Sequence, residues 1–214
     1  MEAQSKKKLQ AAYDAVSHEY AKRNFHELDG KPLDRKLLDL FAERIIPHGK
    51  VCEIGCGPGE VAYYLKGRGV NVFGIDFSFR MIEEARRLSP DIEFEQGDVF
   101  NLKFEKNSLA GIVAFYLIVN FPREDIPKAI MEMFRVLTPG GILLISFHLG
   151  QETIQLEEVF DQKVSIDFMF FHQDEIVAML KNGGFEIDEV ITRTPYKDVE
   201  YQSHRAYIFA HKSK

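Results

Sequence analysis

The strongest chemical signal in the chain is Val51-Cys52-Glu53-Ile54-Gly55-Cys56-Gly57-Pro58-Gly59, where an apolar run enters a G-x-G-x-G cluster and leaves into a helical pattern. Glycines at such a turn let the backbone bend tightly and approach a ligand with no Cβ in the way. The spacing departs from the dinucleotide fingerprint G-x-G-x-x-G, because the third glycine is Gly59. Glu53 stands two residues before Gly55, where it would repel a pyrophosphate and suit a cationic group. No Gly-Lys-Ser/Thr follows, which excludes the lysine-bearing phosphate loop.

Two further acids repeat the pattern. Asp76 ends the next apolar run, in Gly74-Ile75-Asp76-Phe77-Ser78, and Asp98 ends the one after, in Gln96-Gly97-Asp98-Val99. In a doubly wound sheet the strand ends face a crevice, where a carboxylate can accept from two ribose hydroxyls. Such charge-assisted hydrogen bonds are worth about 1.5–3 kcal/mol each. An acid at Asp98 can accept from an adenine amino group, with Phe77 and Val99 packing near the ring. Singly, either Asp is as well explained as a helix cap or turn residue. Three acids at three successive strand ends beside a glycine loop favour one ligand site.

The elements that must position these residues alternate through the middle of the chain. Strand patterns cover residues 50–54, 70–75, 92–96, 109–115 and 142–147, with helical spacing over 60–66, 78–88 and 125–137. That alternation predicts a parallel sheet covered on both faces. Residues 5–24 are amphipathic, with Leu9, Tyr13, Val16 and Tyr20 on one face, and a second helix over 33–46 leads to a turn at 47–49. A helix over 174–182 precedes two long strands, 185–194 and 205–211, expected to be antiparallel. Between 148 and 172 the pattern breaks, with a short helix expected over 156–160 and a strand over 164–170. With no linker between two cores, residues 1–214 read as one domain: a helical cap over 1–46 and an insertion at 148–172 that forms part of a substrate lid.

Together these motifs resemble the class I S-adenosylmethionine-dependent methyltransferases, in particular the small-molecule members. The similarity is specific over residues 35–147 and includes Phe134-Arg135-Val136-Leu137-Thr138-Pro139-Gly140-Gly141, which has a structural role in that family. It implies a Rossmann-like, doubly wound, seven-stranded sheet in three αβα layers, with an antiparallel last strand and an N-terminal helical lid. It implies S-adenosyl-L-methionine as cofactor and S-adenosyl-L-homocysteine as product. The cofactor contacts it implies are Tyr20, Glu53, Gly55, Cys56, Gly57, Gly59, Asp76, Phe77, Met81, Asp98, Val99 and Phe115. Tyr20, or alternatively Tyr13, would meet the methionine carboxylate. The chain departs from many relatives at Ala110, where they carry Asp, and at Asn120, where they carry His.

Methyl transfer depends mainly on alignment, so a general base helps without being obligatory. His148, at the end of the fifth strand, and Tyr116, after the fourth, are the candidate catalytic groups. His172 reads as a cap-region residue, and Tyr201, His204 and Arg205 as residues of a substrate mouth or of a plain strand. The seven histidines show no tight metal spacing with acids, and Cys52 and Cys56 lie within the glycine loop, so no metal is expected.

Composition narrows the partners. The 27 Lys+Arg against 33 Asp+Glu, a net charge of −6, speak against a nucleic-acid substrate. The longest apolar run, residues 109–119, is shorter than the roughly 20 residues of a membrane span. The first ten residues lack the apolar stretch of a secretory signal, and two cysteines make no disulfide framework, so a cytoplasmic monomer or homodimer is expected. Lys6, Lys7 and Lys8 read as a solvated helix start. Two alternatives remain on the same scaffold: another transferase, such as an aminopropyltransferase, or a regulatory protein that binds the cofactor without turnover.

Overall fold

Apolar runs and helical periods assemble as the alternation predicts. The computed structural model describes residues 3–45 and 49–213. The strands are β1 (Val51–Ile54), β2 (Val72–Asp76), β3 (Phe94–Gln96), β4 (Leu109–Phe115), β5 (Leu137–His148), β6 (Thr153–Val159), β7 (Gln162–Met169), β8 (Phe185–Arg193) and β9 (Arg205–Lys212). The helices are α1 (Ala3–Asn24), α2 (Pro32–Ile45), α3 (Glu60–Lys66), α4 (Phe79–Leu88), α5 (Ile126–Val136) and α6 (Gln173–Asn182). Seven strands form one sheet in the order β3-β2-β1-β4-β5-β9-β8. The strands β1 to β5 pair in parallel, while β9 runs antiparallel to both β5 and β8. This is the expected doubly wound sheet with its antiparallel last strand.

Alternating side chains of the central strands divide between two cores, because successive residues of a strand point to opposite faces. Val51, Val113 and Leu144 pack with Phe41 of α2, Leu65 of α3 and Ile82 of α4. Cys52, Ile112 and Ile145 pack on the other side with Met133 of α5 and Leu180 of α6. Three αβα layers result. Among the described residues no helix is long and apolar enough to cross a membrane.

Two expectations change. Residues 156–159 are extended and Phe160 opens the turn, within the antiparallel hairpin β6-β7. Leu156, Val159 and Phe160 share the spacing of a helix face, yet Ile154, Leu156 and their neighbours also alternate apolar with polar, and cross-strand pairing selects the strand. Phe160 and Asp161, at φ +53° and +61°, form the two-residue tip, the geometry that matches strand twist in tight hairpins. The fifth strand also begins earlier than expected, at Leu137, because Pro139-Gly140-Gly141 is absorbed as an irregularity where register with β4 shifts. Of the turn expected at 47–49, residues 47 and 48 lie outside the described residues.

The helix α1 crosses the carboxyl ends of the strands. Its Asp14 accepts from the hydroxyl of Ser78 (2.5 Å), which in turn caps α4 by accepting from the Met81 amide (3.1 Å). The hairpin reaches α1 from the other side, its tip Phe160 lying beside Tyr20 (ring centroids 6.3 Å) and under the Arg23 guanidinium (4.5 Å). Asn120 bridges the two pieces of this roof: it accepts from the Tyr13 hydroxyl (2.8 Å) and donates to the Asp167 carbonyl of β7 (3.1 Å).

Candidate functional site

Between β1 and β4 the strand order reverses, and open α/β sheets hold ligands in the crevice beyond such a point. A cavity of about 320 Å³ lies there under α1, at the small end of the roughly 300–1,000 Å³ typical of small-molecule pockets. Its wall includes Tyr20, Glu53, Gly55, Gly57, Asp76, Phe77, Met81, Asp98, Val99, Phe115, Tyr116 and His148. Cys56 and Gly59 do not line it, contrary to expectation. The Cys56 side chain is buried in the core under α3 and α4, and Gly59 is needed for packing: a Cβ there would lie 2.6 Å from Phe94 Cζ, with φ at +87°. Gly57 behaves as a ligand-facing glycine should, since a Cβ there would meet nothing nearer than Tyr20 Cε1 at 4.0 Å.

The acids hold the loop and face the cavity together. Asp76 accepts from the Gly57 amide (2.9 Å) and the Ser78 amide (2.8 Å). Burial pushes its pKa up to about 6 in spite of those donors. Glu53, 2% exposed, accepts from the Ala62 amide (2.7 Å) in the first turn of α3. Burial, then the neighbouring Glu60 carboxyl, raises it well above the usual carboxylate range. Asp98 accepts from the Phe100 amide (2.9 Å) and pairs with Lys6 Nζ (2.5 Å), whose ammonium also stands 4.8 Å from the Phe100 ring centre. Lys6 is therefore drawn into the cavity wall, while Lys7 and Lys8 are exposed as expected. The signal was present: Lys6 precedes Leu9 and Tyr13 at helical spacing on the inward face.

At the other end the cavity meets a buried ionic network. Tyr116 OH lies 3.2 Å from Tyr207 OH, which donates to Asp34 Oδ1 (2.5 Å). Arg193 joins Asp34 (2.9 Å) to Glu200, and Glu200 also meets Arg205 (3.1 Å) and Lys31 (3.4 Å). Lys31 completes the chain at Glu27 (2.8 Å). Burial alone would raise Glu200, but the Arg193 hydrogen bond and the surrounding donors and cations hold it at about 2.

His148 is stacked between Tyr116 (5.1 Å) and Phe170 (5.2 Å), with Nδ1 2.7 Å from Ser203 Oγ. Burial, then the Arg205 and Lys31 cations, lower its pKa to about 3, so it is neutral at physiological pH and a weak proton acceptor. Tyr116 adopts φ +52°, unusual for a bulky residue, and burial raises its phenol. Tyr201 and Arg205 do reach the cavity, but His204 is exposed away from it. His172 occupies the N-cap of α6 without a side-chain capping bond. Sequence reasoning missed Glu27, Lys31, Glu60 and Glu200, all in the wall. For Glu60 the signal was its place directly after Gly59; the others sit in turns with no local pattern.

Residues 51–141 match the family model described as a methyltransferase domain. A demethylmenaquinone methyltransferase of Renibacterium salmoninarum is 30% identical over 138 residues, covering 64% of this chain and 56% of that protein. A 2-phytyl-1,4-naphtoquinone methyltransferase of Thermosynechococcus vestitus is 35% identical over 120 residues, covering 53% and 52%. The chain thus spans about half the length of these curated relatives. The crystal structure of a SAM-dependent methyltransferase from Methanosarcina mazei superposes with a TM-score of 0.72 at 20% identity, over 81% of this chain and 97% of that one, which establishes the shared fold.

Proposed function

We propose that this chain, which is similar to the class I S-adenosylmethionine-dependent methyltransferases, transfers the cofactor's methyl group to a small-molecule acceptor. The observation that carries this reading is the single cavity that joins the glycine loop and its acids to an aromatic chamber at Tyr116 and His148. The residues fit the cofactor. Glu53, Glu60 and Asp76 gather at one end with Glu60 Oε2 buried and unpartnered, an excess of acid suited to a ligand of net positive charge. When bound, the cofactor supplies a methyl group made electrophilic by its sulfonium.

In this reading Asp76 receives the ribose hydroxyls and Asp98 the adenine amino group, with Phe77 and Val99 against the ring. Gly55 and Gly57 let the backbone come close, Met81 and Phe115 close the walls, and Tyr20 stands at the methionine end. Tyr116 and His148 line the acceptor side. A neutral, stacked His148 orients an acceptor by hydrogen bonding and shape and does not serve as the base. The helix α1 and the hairpin β6-β7 exclude water as the lid of one working unit. The two quinone-type relatives and the aromatic walls support a small, partly apolar acceptor, and the acid excess of the chain supports the absence of a nucleic-acid partner. A cytoplasmic monomer or homodimer is proposed with it.

Calorimetric titration with S-adenosylhomocysteine is expected to show saturable one-to-one binding. Radiolabelled cofactor should pass its methyl group to a small, solvent-extractable acceptor such as a hydroxylated quinone. Binding without transfer to any small acceptor, or transfer to RNA instead, would overturn the proposal.

Lys6 competes for Asp98 in this scheme. An ion pair that water still reaches is worth about 0.2–1 kcal/mol, and Lys6 and Asp98 are both partly exposed. Lys6→Ala is therefore expected to tighten S-adenosylhomocysteine binding by up to about fivefold, since 1.4 kcal/mol is tenfold. Equal or weaker binding would show that the pair does not guard the adenine end.

A further inference from the structure

Glu60 is the first residue of α3, directly after the glycine loop, and its Oε2 is buried with no hydrogen-bond partner. An orphaned buried carboxyl oxygen costs free energy and calls for an explanation. The carboxyl groups around it come from separate elements: Glu53 from β1, Asp76 from β2 and Glu27 from the short turn 27–30. The Tyr20 phenol faces the cluster from α1, and Cys56 lies behind it in the loop. Lys31 is the cation that acts on Glu60, but its ammonium is already held by Glu27 (2.8 Å) and Glu200 (3.4 Å). Glu53 accepts the Ala62 amide through Oε2, and each oxygen of Asp76 accepts one backbone amide. Glu60 thus holds the carboxyl oxygen in this group that is buried, lines the cavity and has no partner.

We propose that Glu60 is the residue that binds the α-ammonium group of the cofactor, and that this contact displaces a proton from the carboxyl cluster into solvent. The inference rests on the cofactor reading above and names one residue's task within it. Burial, then the Glu27 charge, raise Glu60 to about 8, so in the free protein at neutral pH it carries a proton. An incoming ammonium favours the ionised carboxylate, so the proton leaves as the cation arrives. Binding then strengthens as pH rises toward 8, by up to tenfold per unit for one proton released.

The test is calorimetric titration of the full chain with S-adenosylhomocysteine between pH 6.5 and 7.5, in buffers of different ionisation enthalpy. 5′-Methylthioadenosine, which keeps the adenosine and sulfur but lacks the amino-acid group, serves as the control ligand. The wild type is expected to release close to one proton and to bind several-fold tighter at the higher pH. Glu60→Gln, isosteric and uncharged, should weaken S-adenosylhomocysteine binding about fivefold to tenfold at pH 7.5 and abolish the pH dependence. Its affinity for 5′-methylthioadenosine should equal that of the wild type. The assignment is overturned if Glu60→Gln binds S-adenosylhomocysteine as the wild type does, if the wild type releases no proton, or if both ligands weaken together. A wild type that binds neither ligand would instead remove the cofactor reading, and this assignment with it.

Discussion

Replacing Arg193 with Met is expected to lower the free energy of unfolding by about 3–5 kcal/mol, the usual cost of stranding partners of a buried ion pair. Arg193 is 9% exposed and binds two carboxylates that are themselves buried, Asp34 and Glu200. Methionine fills much of the same volume, so the loss measures charge and hydrogen bonding more than packing. Glu200 keeps Lys31 and Arg205, but Asp34, 1% exposed, keeps only the Tyr207 hydroxyl and so carries most of the penalty. For a chain of this size 1 kcal/mol shifts the melting temperature by about 2–4 °C, so a fall of roughly 6–20 °C should appear. Urea denaturation followed by circular dichroism gives the free energy; a change below 1 kcal/mol would show that the network does not hold the strands together. The network also sets an acid limit. Glu200 is depressed, so its stabilisation is full above the ordinary carboxylate range and is lost as pH falls from about 4.5 toward 2.

Asp76→Ala is expected to weaken S-adenosylhomocysteine binding by at least tenfold. Two charge-assisted hydrogen bonds to ribose hydroxyls would vanish, each worth about 1.5–3 kcal/mol before the loop readjusts. The Gly57 and Ser78 amides would also lose their acceptor and turn toward the cavity. Loss of fold does not explain the effect in advance. The pKa of Asp76 is raised to about 6, so its ionised form opposes folding: the protonated group's contribution is full below about 3.8 and is lost as pH rises through 6. Removing it near pH 7.5 therefore relieves that electrostatic cost while it deletes the two backbone contacts. Melting temperature and affinity measured on the same samples separate the two. Unchanged affinity would refute the assigned role of Asp76.

What could be read from the sequence was what local chemistry controls. The glycine loop, Glu53 of β1, Asp76 of β2 and Asp98 just after β3 depend on turns of a few residues, and all three acids reach one cavity wall. The parallel sheet followed from the alternation of strands and helices, and the antiparallel pairing of β8 with β9 from two long runs joined through Pro195. Side-chain networks between distant segments were not legible. Asp34 meets Arg193 and Tyr207 across 159 and 173 residues, and no spacing in the chain announces that meeting. The segment 156–160 was misread for a different reason. Leu156, Val159 and Phe160 fit a helical period while Ile154 and Leu156 fit a strand's, and only the partner strand, Gln162–Met169, decides between them. Cys56 and Gly59 sat in the right motif, yet it is the packing of Phe94, Ala85 and the core that fixes them.

The hairpin β6-β7 is fastened to the sheet at its root alone as far as backbone pairing goes. The Phe171 amide donates to the His148 carbonyl (3.0 Å), the Gly150 amide to the Phe171 carbonyl (3.2 Å) and the Phe170 amide to the Glu152 carbonyl (2.9 Å). The chain leaves and re-enters the scaffold at one point, and everything between pairs with itself. Residues 153–169 therefore form a cassette: they can lengthen, shorten or change composition without disturbing the register of β5 or the glycine loop. In the proposed reading the acceptor side and the glycine loop are thus built on different stretches of chain, which meet at the hairpin tip where Phe160 lies beside Tyr20.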